Sequence, residues 1–146
     1  MSEYRKQLFA GFLGLLYLTT GLAAFIALIS PEIELFALLG ISGDPAMGFV
    51  SIIIGLTLIF GYRELSKGIH EGVAYLHVGI ALALVFGLIW LLSTGAGFAT
   101  LAIFEGEEIT FEMIREAIVP QLYLAVIALF GFIVWGREFS AGLLRD

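Results

Sequence analysis

The chain has 146 residues, 60% of them hydrophobic and 14% charged, with a net charge of −6 and a mean hydropathy of +1.04. Soluble domains carry about 25% charge, so the composition predicts an all-α polytopic membrane protein with a single domain, residues 1–146. Seven lysines and arginines with no basic patch argue against nucleic acid as a partner, and the lack of cysteine excludes disulfides, thiol chemistry and thiolate metal sites.

Crossing a bilayer takes about 20 apolar residues, and four runs qualify. A short polar start with Arg5 and Lys6 leads into the first span, residues 8–29, which Ser30-Pro31 ends. This run is longer than the apolar region of a signal peptide and reads as retained. Residues 32–41 carry Glu32 and Glu34 and are too short to cross, so they are expected at the outer interface. Asp44-Pro45 marks a turn into the second span, about residues 46–65, with Gly68 as its C-terminal cap. Residues 73–104 then carry no charge. That is too long for a simple span, so Ser93, Thr94, Gly95, Ala96 and Gly97 are expected to break the third helix, leaving residues 98–104 near the surface. Residues 105–119 form a second interfacial piece, in which Thr110 caps a helix and Glu112 pairs with Arg115. Pro120 opens the fourth span, which is expected to end near Gly136.

Two stretches match across the chain. Arg63-Glu64-Leu65-Ser66-Lys67-Gly68-Ile69 returns as Arg137-Glu138-Phe139-Ser140-Ala141-Gly142-Leu143. Pro45 falls opposite Pro120, and Leu18-Thr19-Thr20-Gly21 opposite Leu92-Ser93-Thr94-Gly95, at an offset of 74 or 75 throughout. The pattern reads as a tandem duplication of a two-helix hairpin, with repeat 1 over about 8–69 and repeat 2 over about 80–143. Two spans per repeat make the repeats parallel, related by a pseudo-twofold axis along the membrane normal.

Candidate sites are few. His77 is the one residue placed to hold a cofactor, a haem shared between chains; otherwise no cofactor or metal is expected, and His77 bonds a neighbour. Thr19, Thr20 and Gly21, with Ser93, Thr94, Gly95 and Gly97, are the material for a polar cavity in the outer half of the membrane. Ser51 and Gly55, and Gly79, Ala83 and Gly87, are small residues at spacings of four, suited to close helix packing in lipid. Arg63, Glu64, Arg137 and Glu138 read as cytoplasmic anchors or a paired docking surface. No nucleophile–base pair, metal cluster or phosphate loop stands out, so catalysis is not expected. The favoured reading is a non-catalytic helical bundle, an oligomeric or accessory subunit whose partners are the lipid bilayer and copies of itself or another membrane protein. A channel or facilitator along the pseudo-twofold axis and a haem-binding redox protein are the alternatives.

Basic residues set the orientation. Arg5, Lys6, Arg63, Lys67, Arg137 and Arg145 fall at the termini and the central link, and only Arg115 falls on the other side. The positive side stays cytoplasmic, which predicts a cell-membrane protein with both termini inside. With Glu3→Cys and Glu107→Cys made singly, an impermeant thiol reagent added to intact cells should label position 107 and not position 3. Labelling of position 3 alone would reverse the topology.

Overall fold

The computed structural model describes residues 2–143, so Met1, Leu144, Arg145 and Asp146 lie outside the described residues. Four long helices form the body: α1 (Ser2–Ile29), α3 (Pro45–Ser66), α4 (Gly72–Thr100) and α6 (Pro120–Leu143), with two short ones, α2 (Glu34–Leu38) and α5 (Phe111–Ala117), in the links. The four long helices are each apolar enough to cross a membrane, with hydropathies of 1.7 to 2.3. Only 28–39% of their most apolar windows is buried. The rest of that surface, including Phe12, Leu22, Phe49, Phe60, Leu88 and Ile133, points outward and calls for lipid as its solvent.

The helices run up and down in a ring. Helix α1 packs along α3, α3 on α4, α4 on α6, and α6 returns more lightly to α1. Tyr17, Leu13, Ile54, Leu58, Leu76, Ile80 and Leu124 fill the interior.

Local chemistry explains most boundaries. Asp44 accepts hydrogen bonds from the N–H groups of Ala46 (2.9 Å) and Met47 (3.3 Å), with Pro45 at the first helical position of α3. At the other end Gly68 takes a left-handed φ of 74°. Its N–H reaches Leu65 O (3.1 Å) while that of Ile69 reaches Glu64 O (3.0 Å), the two bonds of a Schellman cap. Thr110 caps α5 by accepting from the Met113 N–H at 3.4 Å.

Three expectations fail. The Ser93–Gly97 cluster does not break the third span: α4 runs through it to Thr100 and continues as a π-helical turn, Leu101–Glu105. Helical backbone pairs its own N–H and C=O groups, and a break would leave some of them unpaired. The helix ends only where Gly106 (φ 66°) turns the chain. Thirty-four residues at 1.5 Å each make about 51 Å of helix, well beyond the roughly 30 Å of hydrocarbon. Helix α6 likewise runs past Gly136 to Leu143, so the first motif copy caps a helix and the second stays helical. The Glu112–Arg115 pair is absent among the ion pairs of the described residues.

The tightest contact is α1 on α3, and glycines make it. A Cβ added at Gly55 would sit 2.8 Å from the Leu18 amide nitrogen and 3.0 Å from Gly14 O. One at Gly21 would sit 2.8 Å from Gly48 O, and one at Gly48 would sit 3.2 Å from Gly21 O. Gly14 and Gly21 are seven apart, as are Gly48 and Gly55, so the antiparallel helices meet glycine to glycine at both levels. Gly55→Ala should therefore destabilise the fold by about 1–3 kcal/mol, the usual cost of overpacking, read as a lower thermal midpoint in detergent. An unchanged midpoint would contradict this packing.

Candidate functional site

Polar chemistry gathers at the two ends of the bundle. At the end shared by the N-terminal segment and the α3–α4 link, Lys6 is buried, 6% exposed, and its ammonium pairs with Glu138 at the end of α6. His70 Nδ1 lies 3.2 Å from Glu3 Oε1, and Lys67 Nζ 3.2 Å from Glu64 Oε1. Arg63 and Arg137 are exposed. The two motif copies share local features: Ser66 Oγ donates to Arg63 O (2.7 Å), Ser140 Oγ to Arg137 O (3.1 Å), and Leu65 and Phe139 are both buried. Their glutamates differ, Glu64 pairing within its own copy and Glu138 reaching across to α1.

His77 packs inward. Its ring centroid lies 4.2 Å from that of Phe139, tilted by 50°, and its buried Nδ1 has no hydrogen-bond partner. The expected hydrogen bond to a neighbour is not formed at Nδ1, and the ring packs on Phe139 of α6 instead. Phe139 covers part of the imidazole face and Nδ1 is buried, so Nε2 is the nitrogen left to bond a partner.

The proposed polar cavity is not assembled. Gly21 is packed against Gly48 and Ile52 of α3, Thr19 Oγ1 donates to Leu15 O (2.9 Å), and Thr20 is buried. Across the bundle, Gly95 and Gly97 have open space around them and Thr94 is half-buried. The two clusters lie on α1 and α4, which scarcely touch because α3 and α6 sit between them.

The small residues do pack, with one correction. Ser51 is buried, and Gly55 meets α1 as described. Gly79, Ala83 and Gly87 are all buried, but against two neighbours: Gly79 faces Leu58 of α3, and Gly87 faces Ala125 of α6. A spacing of four drifts about 40° per step round a helix with 3.6 residues per turn, so the stripe rotates from one partner to the next.

The other end holds an arrangement that pattern reading missed. A cleft of about 230 Å³ opens between the start of α3, the middle of α4 and the start of α6. Asp44, Trp90, Ser93 and Gln121 bring polar groups to it, and Met47, Val50, Phe86 and Ile89 make it apolar elsewhere. Gln121 is 9% exposed, and its Oε1 is buried without a partner. Trp90 Nε1 donates to Ala117 O (3.4 Å), and the Tyr123 hydroxyl to Leu39 O (3.1 Å), tying this end together. The one available signal was a glutamine directly after Pro120 at the head of an apolar run.

The family model described as MJ0565 integral membrane domain matches residues 3–137, and the chain belongs to that family. No curated protein and no solved structure matches it.

The Lys6–Glu138 pair yields a test. Only the Lys6 side of this pair is buried, Glu138 being about half exposed. Removing the glutamate charge leaves the buried ammonium uncompensated, whereas replacing both charges of such a pair is often neutral. Glu138→Gln should lower stability by about 1–3 kcal/mol, and Lys6→Met added to it should restore most of the loss, read by thermal unfolding in detergent. Equal losses from both changes, summing in the double variant, would show the pair to be uncoupled.

Proposed function

We propose that this member of an integral membrane domain family is a non-catalytic subunit of the cell membrane, working as a homo-oligomer or beside another membrane protein. One observation carries the reading: the far end of α4 is bare. Glycines elsewhere in the spans, such as Gly14, Gly21, Gly48, Gly55 and Gly79, press against a neighbouring helix, whereas Gly95 and Gly97 meet nothing within 4 Å. Leu91, Leu92 and Ser93 beside them are exposed as well. Small residues on a lipid-facing helix give another helix close approach, and packing rather than hydrophobicity drives such association.

The channel reading is weaker, because Tyr17, Leu58, Ile80 and Leu124 occupy the interior and the hydroxyl–glycine clusters stay apart. The haem reading is weaker for want of a specific observation that favours it. Basic residues at the Lys6–Glu138 end support a cytoplasmic placement for it. Tandem duplication of a hairpin remains the origin we propose, supported by the matching serine bonds and buried apolar residues of the two motifs.

The chain has no cysteine, so single cysteines report on contacts cleanly. In native membranes, Gly97→Cys should give a disulfide-linked dimer or a cross-link to a co-purifying membrane protein, and Val85→Cys, exposed on the same helix, should not. A monomer by native mass spectrometry, with no cross-link from position 97 and no co-purifying partner, would overturn the reading.

A further inference from the structure

The cleft between α3, α4 and α6 has a chemistry that the subunit reading leaves unused. Its polar lining consists of a carboxylate, an amide, a hydroxyl and an indole, with no lysine, arginine or histidine. Asp44 uses Oδ1 for both of its capping bonds, at 2.9 and 3.3 Å, and Oδ2 has no partner among the described residues. Gln121 is more than nine-tenths buried, and its Oε1 has no partner either. A buried acceptor of this kind is normally satisfied. It has no accessible surface as it stands, so a donor in the cleft would reach it through a turn of the Gln121 side chain to another rotamer.

We propose that this cleft binds a primary ammonium group. Asp44 would supply the countercharge, Gln121 Oε1 and the Ser93 hydroxyl would accept N–H bonds, and the indole of Trp90 suits a cation. Met47 and Phe86 would receive the carbon atoms attached to the nitrogen. A metal ion fits poorly: no group of three or more His, Cys, Asp or Glu side chains lies together among the described residues, and hard cations demand about six or more oxygen ligands. The cleft, at about 230 Å³, is smaller than the roughly 300–1,000 Å³ of pockets that enclose drug-sized ligands. Carboxylates surround this end, Glu32, Glu34, Glu105, Glu107, Glu108, Glu112 and Glu116 against the single Arg115, and such a field draws cations in.

A primary ammonium could arrive as a free alkylamine or as the ethanolamine headgroup of a lipid. The full chain in phosphatidylcholine nanodiscs would be titrated with n-butylamine by calorimetry, with n-butanol and acetate as controls. In a second arm, mixed phosphatidylcholine–phosphatidylethanolamine nanodiscs would be followed by native mass spectrometry for the retained lipid. Saturable binding of butylamine assigns the free amine, selective retention of phosphatidylethanolamine assigns the lipid, and either supports the site. Asp44→Asn, which keeps a good helix cap, and Gln121→Leu, which removes the orphaned oxygen, should each weaken binding at least tenfold with the thermal midpoint preserved. No response in either arm, equal binding of butanol, unchanged binding by both variants, or a response to acetate instead would overturn the proposal. The last result would place the amide nitrogen, not the oxygen, in the cleft. None of these outcomes depends on the oligomeric state.

Discussion

Backbone-to-backbone contact between α1 and α3 is the constraint on which the rest of the bundle depends. Lipid is as apolar as leucine, so burial does not drive helices together inside a membrane. What remains is close packing, and it is strongest where nothing holds two backbones apart. Gly14 against Gly55 and Gly21 against Gly48 provide that contact at two levels. The same device recurs at the α3–α4 turn, where a Cβ on Gly61 would lie 3.2 Å from Gly72 O and one on Gly72 would lie 2.9 Å from Gly61 O. With α1, α3 and the start of α4 held this way, α4 presents Gly87 to Ala125, and α6 closes the ring through Phe9 on Trp135, whose ring centroids are 5.1 Å apart.

The second hairpin is built differently. Helix α6 meets α4 at Gly87, but no pair of glycines there mirrors Gly14–Gly55. Gly131 is instead covered by Phe9 of α1. A looser second hairpin leaves a cleft at one end and a bare helix end beside it. Both features with functional promise, the Gln121 cleft and the Gly95–Gly97 surface, belong to α4 or its border with α6. The first hairpin is the more tightly packed half, and the contacts proposed for a partner and a ligand both belong to the half with spare surface.

Much of this was legible from the chain. Four spans follow from run length and hydropathy, and the caps at Gly68 and Thr110 follow from residue type, because side-chain and glycine caps are local chemistry; Asp44 read only as part of a turn. Helix continuation through Ser93–Gly97 was not legible by the same local rules. Hydroxyls and glycines loosen helices in water, but each is a weak local bias, and the Thr100 hydroxyl bonds back to Ala96 O (3.0 Å) within the continuing helix. The Gly14–Gly55 register was hidden for another reason: it depends on pairing two spacings of seven across a turn, and a scan for spacings of four passes over it. Lys6 read only as one of the basic residues that set the orientation, because its partner, Glu138, lies at the far end of the chain. Gln121 carries no pattern at all, and only the fold reveals that its oxygen is buried without a bond.

Glycine-to-glycine contact can be observed directly. The protein labelled with ¹³C only at glycine and reconstituted in lipid bilayers would be examined by solid-state NMR at long mixing times, where cross-peaks between glycines far apart in sequence report helix contacts. The account predicts cross-peaks joining Gly14 to Gly55 and Gly21 to Gly48, and none joining Gly95 or Gly97 to any glycine of α1 or α3. A helical spectrum that lacks both of the first two contacts would contradict it.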